Sequence, residues 1–321
     1  MTLDNIIEEI NNASSIVILT HENPDGDAIG SSLALYNGLK QLEKNADVII
    51  PEYSNTYKFL PNASDIKKEG NANSYDLAIA LDCGDIKRLN GFAKYFEDAN
   101  TKISIDHHSA NTMFADYNFV NPAAPACCQI LITVLEALGV TINKEIGTCL
   151  LTGIITDTGG FKYSGVTAET FEFTAELLNK GVKVSDIYKR VMQTISKTQF
   201  ELRRIAMNRI EFFEDGKITF TYITKEDEDK VNAGINDYDG IVEMGRDIEG
   251  VEVSIFFREK DDGYKISLRS NDYVNVSDIC LMFSGGGHIR AAGGSINLPF
   301  EQAKQKVIEE CKLSLIHISE P

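Results

Sequence analysis

Three side chains that bind divalent metals, His21, Asp25 and Asp27, fall within seven residues in the segment His21-Glu-Asn-Pro-Asp25-Gly-Asp27. Pro24 and Gly26 suit a tight turn that would draw them together. Imidazole and carboxylate donors suit Mn²⁺, Mg²⁺ or Zn²⁺. Alone, the segment has a plainer reading, with Asp27 as a helix N-cap and Asp25 as a turn residue. Three other segments carry the same chemistry. Asp82 opens Asp82-Cys-Gly-Asp85, Asp106-His107-His108 stands as a triplet, and Asp157 follows a further apolar run. Paired histidines in one loop are usually incidental. Four such segments meeting at one edge of a fold would not be.

Each segment sits at the end of a short apolar run: 16–19 before His21, 77–81 before Asp82, 103–105 before Asp106, and 150–155 before Asp157. The first two runs are continuous, as buried parallel strands are. Periodicity does not separate helix from strand for 150–155. After Asp27, residues Ile29, Leu33, Tyr36, Leu39 and Leu42 recur at helical spacing. Strand and helix in alternation predict an α/β fold with a parallel sheet. Ligands of such sheets bind beyond the carboxyl ends of the strands, where His21, Asp82 and Asp106 would stand. Helical patterns follow at 168–179 and 184–192, and 197–211 reads as a helical connector. From about Ile218 the period changes to two, at 218–222, 251–255 and 264–268, with turn signals at 214–216 and 261–263. The expected organisation is a parallel-sheet domain over 1–192, a helical linker over 193–212 and a smaller α+β domain over 213–312.

The bulk properties narrow the function. At 321 residues, 43% hydrophobic and 25% charged, the chain can bury two cores. No apolar run approaches the ~20 residues that span a bilayer, so no membrane partner is expected. Residues 5–12 are polar and acidic and do not read as a secretory signal. Six cysteines without Cys-x-x-Cys spacing fit buried, reduced thiols in the cytoplasm. The net charge of −17 argues against a protein that grips long nucleic acid, which needs a basic stripe. Short anionic substrates, held locally by cations and a few basic side chains, remain. Residues 313–321 follow an amphipathic helical pattern at 301–312 and resemble the translation of a common sequencing-library adaptor. They are expected to be a non-native tail, and His317 is left out of the site on that ground.

The four segments resemble motifs I to IV of the DHH phosphoesterases, a family named for the triplet at Asp106-His107-His108. The second domain resembles DHHA1 through Ser267-Leu-Arg269-Ser270 and Gly285-Gly286-Gly287-His288, followed by Ala291-Ala-Gly293. Ser284 stands where the family usually has a fourth glycine. Motif spacing and size are most similar to the NrnA-type nanoRNases within the family, which also dephosphorylate 3′-phosphoadenosine 5′-phosphate (pAp). The resemblance implies two divalent ions, usually manganese. His21, Asp25 and Asp82 would hold one ion. Asp27, Asp82, His107 and Asp157 would hold the other, with Asp82 bridging. Asp106 would orient the site and His108 would contact the scissile phosphate. Arg269, Ser270, Gly286, Gly287 and His288 would bind substrate in a cleft between the domains. Arg290, Lys162 and Tyr163 are weaker substrate candidates, and Tyr163 could equally be a core residue.

The expected activity is hydrolysis of short RNA to mononucleotides and of pAp to AMP. A linear or cyclic dinucleotide phosphodiesterase is the near alternative, and a RecJ-like single-strand exonuclease a further one. A non-catalytic nucleotide sensor would lack a metal ligand, and none is missing. The partners implied are short RNA or a small nucleotide, and the resemblance leaves room for a homodimer.

Overall fold

The short apolar runs become the strands of a parallel sheet in the computed structural model, which describes residues 2–70, 75–234 and 237–316. Two compact units form, Met1–Thr194 and Ile195–Pro321. The first contains β1 (Ile16–Leu19), β2 (Ala46–Ile49), β3 (Leu77–Leu81), β4 (Thr101–Asp106) and β5 (Tyr117–Val120). They lie in the order β2-β1-β3-β4-β5, with every pairing parallel. Its helices are α1 (Leu3–Asn12), α2 (Gly26–Gln41), α3 (Ala93–Glu97), α4 (Cys127–Ala137), α5 (Lys144–Asp157), α6 (Ala168–Asn179) and α7 (Val184–Tyr188). In β1, Ile16 and Ile18 join the core that contains α2, α4 and α5. Val17 and Leu19 join the opposite core around Phe96 of α3. Both faces are covered, so β1 and β3 carry no polar alternation.

The strand order reverses at β1. The chain leaves β1 for β2 on one side and later returns to β3 on the other, and such switch points are where open α/β sheets bind ligands. Small residues bring α2 and α5 close beside it. A Cβ on Gly30 would lie 2.6 Å from the Cys149 carbonyl oxygen, and one on Gly153 would lie 2.5 Å from Asp27 Oδ1. Larger residues at either position would separate Asp27 from the carboxyl end of α5.

The second unit contains α8 (Lys197–Asn208), β6 (Glu211–Phe213), β7 (Ile218–Ile223), α9 (Lys225–Val231), α10 (Ile241–Arg246), β8 (Val253–Lys260), β9 (Gly263–Ser270), α11 (Val276–Leu281), β10 (Gly286–His288), β11 (Ala291–Ile296) and α12 (Phe300–Ile316). The sheet order is β10-β11-β9-β8-β7-β6. β7 and β8 run parallel and the other pairs antiparallel. Residues of α11 and α12 cover Phe220, Ile255 and Leu268 on one face. Leu202 and Ala206 of α8 and Ile241 of α10 cover Ile223 and Phe256 on the other.

Three expectations are corrected. The segment 193–212 is not a separate linker, because buried Leu202 and Ala206 make α8 part of the second unit, whose boundary falls at Thr194. The helix expected over 184–192 is α7 followed by a widened turn over Lys189–Gln193. The terminal helix does not end at Lys312. It continues to Ile316, and Leu315 is buried against the same core as Val307 and Cys311. Ending the chain at Lys312 would therefore expose apolar surface. Residues 317–321, with His317, lie outside the described residues. All six cysteines are free and buried. Among the described residues no helix is long and apolar enough to cross a membrane.

Candidate metal centre

The loop after β1 carries His21, and Asp25 caps α2. One Asp25 oxygen accepts from the amides of Asp27 (3.0 Å) and Ala28 (3.1 Å), so the first helical turn is fixed by one of the expected ligands. Asp27 is buried within the first turn of α2. Its two oxygens accept from the amides of Cys127 (2.6 Å) and Cys128 (2.9 Å), at the start of α4. Asp82 directly follows β3 with φ of +52°, a left-handed conformation uncommon for a side-chain-bearing residue and often found at functional sites. Asp106 ends β4, followed by both histidines. Asp157 is the last residue of α5, which settles the 150–155 run as helix. The negative end of a helix disfavours a carboxylate there and favours a cation.

These segments converge. Ligand atoms of His21, Asp25 and Asp82 lie within 4.8 Å of one another, as do those of Asp27, His107 and Asp157 and those of Asp82, His107 and His108. His107 Nε2 stands 3.4 Å from Asp82 Oδ1 and 3.3 Å from Asp157 Oδ2. His21 Nε2 is 3.8 Å from Asp82 Oδ2. His107 Nδ1 contacts the Ala124 carbonyl at 3.2 Å, which aims Nε2 at the carboxylates. Asp106 is fully buried and serves as a hub. It receives the His107 amide (2.8 Å), His108 Nδ1 (2.7 Å) and Asn111 Nδ2 (2.7 Å).

The charges are out of balance. Burial and the Asp82 charge push Asp27 up to about 7. Asp157 is raised well above the carboxylate range by burial and then by Asp27. Asp25 reaches solvent, yet the protein crowding it and the Asp82 charge raise it too. Asp82 goes the other way. Burial would raise it, but His107 and His21 outweigh burial and hold it well below the usual range. His107 is lowered by burial but raised more by Asp82 and Asp27, to about 10. Asp82 Oδ1 and His21 Nδ1 are buried without a hydrogen bond. Orphaned polar atoms, hard oxygen and imidazole donors, and surplus negative charge fit divalent cations.

Comparison with known proteins places this arrangement. Residues 15–154 match the DHH family N-terminal domain, and residues 204–314 match the DHHA1 domain. The chain is 34% identical over 308 residues to the bifunctional oligoribonuclease and PAP phosphatase NrnA of Thermus thermophilus, covering 94% of this chain and 90% of the relative. The chain belongs to the DHH family. The Bacillus subtilis protein of the same name is 24% identical, with 91% of this chain and 92% of that one covered. The crystal structure of an exopolyphosphatase-related protein from Bacteroides fragilis superposes with a TM-score of 0.89 at 31% identity, covering 96% and 94% of the two chains.

In the DHHA1 domain the expected substrate residues differ in their commitments. Gly286, Gly287 and His288 form β10, the edge strand beside β11, and His288 is exposed. Gly287 has φ of +150°, and a Cβ there would lie 2.5 Å from the Ala291 carbonyl oxygen. Arg269 is partly occupied: Nε donates to Glu243 Oε1 at 2.9 Å and Nη1 to the Leu268 carbonyl at 3.0 Å. Ser270 corrects the expectation. It is buried, and its hydroxyl donates to the Val274 carbonyl at 2.6 Å, holding the following turn rather than facing a substrate. The Arg290 guanidinium is likewise spent on the carbonyls of Asp272 and Val274.

Asn111 and the amides of Cys127 and Cys128 were not foreseen. Asn111 left a faint signal, an amide five residues past Asp106. The cysteine amides left none, because backbone donors 100 residues from Asp27 carry no residue-type mark.

Proposed function

We propose that this chain is a divalent-metal-dependent phosphoesterase, with manganese as its working ion. It would hydrolyse RNA of about two to five nucleotides to mononucleotides, a length suited to a chain of net charge −17, and pAp to AMP. The observation that carries this reading is the pair of ligand groups, His21/Asp25/Asp82 and Asp27/His107/Asp157, joined through the contact of Asp82 with His107. The names of the relatives in Thermus and Bacillus support the substrates.

Two ions held by these groups would lower the pKa of a water and neutralise charge on the phosphate oxygens. The protein's own residues supply position. Asp82 would serve both ions, and His107 and His21, outweighing its burial, keep it a carboxylate. Asp27 is fixed by two amides and presents its remaining lone pairs. Asp106 holds His108 through Nδ1 and favours its charged form, which suits contact with a phosphate. His288 and the glycine backbone of β10 would bind a second part of the substrate, with Arg269 contributing beside its bond to Glu243.

The test is kcat/KM on pAp and on RNA from two to twenty nucleotides, with Mn²⁺ at fixed salt. Efficiency should peak at the shortest oligomers. A steady rise to twenty nucleotides would replace this reading with an exonuclease on long strands, and activity confined to cyclic dinucleotides would replace it with a phosphodiesterase of that class.

A further inference from the structure

Everything gathered around Asp82 handles phosphate and metal: carboxylates, imidazoles and amides. None of it recognises a nucleobase. The loop that begins at Asp157 carries groups of another kind. Directly after α5, three successive residues adopt left-handed backbone, Gly159 (φ +58°), Gly160 (φ +72°) and Phe161 (φ +69°). For Phe161 this is strained, and such strain persists where the surroundings over-determine it, often at functional sites. The loop is tied to the end of α5. Thr158 Oγ1 donates to the Ile154 carbonyl (2.6 Å) and accepts from the Phe161 amide (2.9 Å), and the Tyr163 amide donates to the Thr158 carbonyl (3.1 Å).

The loop places the Tyr163 ring against the Gly159 backbone. A Cβ on Gly159 would lie 2.5 to 2.8 Å from three carbons of the Tyr163 ring, so only glycine lets the ring settle there. The ring is not core. It is 47% exposed, and among the described residues no hydrogen bond or ring pair engages its side chain. Phe161, by contrast, spends its ring on Phe171, with centroids 5.4 Å apart. Gly159 is two residues from Asp157, so their Cα atoms are at most about 7.6 Å apart. An exposed aromatic ring is thus seated on a glycine two residues from the candidate metal ligand Asp157.

We propose that Tyr163 is the stacking platform for the base of the nucleotide whose phosphate lies at the metal centre. This rests on the nucleotide phosphoesterase reading. A ring with one face on glycine backbone offers its other face to any base, so it contributes affinity without sequence preference.

The test uses the full chain with Mn²⁺. Tyr163→Ala should raise KM for pAp and for a dinucleotide about tenfold, within the range of base–aromatic stacking, and leave kcat within about twofold. Tyr163→Phe should restore KM, which a lost fold or a lost hydroxyl contact would not predict. The chain has no tryptophan, so Tyr163→Trp introduces a single reporter. AMP should quench its fluorescence, and inorganic phosphate should not. An unchanged KM in Tyr163→Ala, or steady fluorescence at AMP concentrations that inhibit turnover, overturns the assignment. Wild-type protein that hydrolyses no nucleotide would overturn the underlying reading as well, which separates the two failures.

Discussion

Asp227 in the DHHA1 domain and Asp27 in the DHH domain are buried to similar degrees, 5% and 1% exposed. Asp227 meets the guanidinium of Arg209, with Nη2 at 3.1 Å, and the hydroxyl and amide of Thr224 at 2.6 and 2.9 Å. Burial would raise it, but Arg209 and Thr224 outweigh burial and hold it down to about 2. Glu252, also buried, accepts from the amides of Asp272, Tyr273 and Val274 at 3.0, 2.9 and 2.8 Å. Asp27 also accepts two short amide bonds, yet burial first, and then the Asp82 and Asp25 charges, push it up to about 7. Hydrogen bonds alone do not separate the two settings. Charge balance does. The DHHA1 carboxylates are complete within the protein and act as structure. The DHH cluster holds more negative charge than its histidines can offset, so a cation from outside would complete it.

The largest effect expected from this difference is on turnover. Asp82→Ala removes the carboxylate that joins the two ligand groups through His107 and should cost about 10³-fold or more in kcat, since removing even one oriented group from a charged transition state costs ~10²–10³-fold. Elemental analysis should show less bound Mn²⁺. Full activity in this variant would refute the shared-ligand arrangement.

A smaller effect concerns stability with and without metal. Asp157 is raised in the folded chain, so its ionised form opposes folding above the unfolded value of 3.8 and not below it. At neutral pH, metal-free Asp157→Asn should melt above metal-free wild type. Wild type should gain about 2.7 kcal/mol with Mn²⁺ at a hundred times its Kd, and the variant much less. A metal-free variant that melts lower, with an undiminished Mn²⁺ response, would make Asp157 a structural residue like Asp227.

Asp227→Asn is the counter-test. Asp227 is lowered, so its contribution is present above 3.8 and lost as pH falls through about 2. The carboxylate is covered but its surroundings are thin, and solvent screening limits the effect to about 1 kcal/mol. Urea titrations at pH 7 should show that loss with bound Mn²⁺ unchanged, and the gap to wild type should close near pH 2. Reduced metal content would break the distinction between the two domains.

The sequence made the cluster legible because its residues sit where continuous apolar runs stop, a pattern that survives without tertiary information. It left 150–155 undecided, because a buried helix and a buried strand share an apolar run. Short strands escaped for a related reason. β2 is Ala-Asp-Val-Ile and β10 is Gly-Gly-His, and neither carries a period. Ser270 misled because residue type does not show which way a hydroxyl turns, and the bond of Arg269 to Glu243, 26 residues earlier on another element, left no mark in the sequence. The adaptor-like tail hid that Leu315 falls on the buried face of α12.

The smallest expected effect compares strain rather than charge. Asp82 in one domain and Ser284 in the other both hold left-handed backbone, at φ of +52° and +53°. At Asp82 the conformation presents a carboxylate to two ligand groups, so a glycine there would relieve strain and remove the chemistry. Ser284 is exposed, and no hydrogen bond of its hydroxyl is seen among the described residues. Its left-handed backbone costs ~1–2 kcal/mol. Glycine would remove that cost but add ~0.4–1 kcal/mol of unfolded-chain entropy. The two nearly cancel, leaving Ser284→Gly more stable by about 0.5 kcal/mol. Urea denaturation resolves this if the slope is unchanged. KM for pAp should stay within about twofold, because β10 already runs through Gly286 and Gly287 in the required shape. A stability loss, or a KM that rises severalfold, would mean that the Ser284 side chain is used, and that strain in the second domain also serves the substrate.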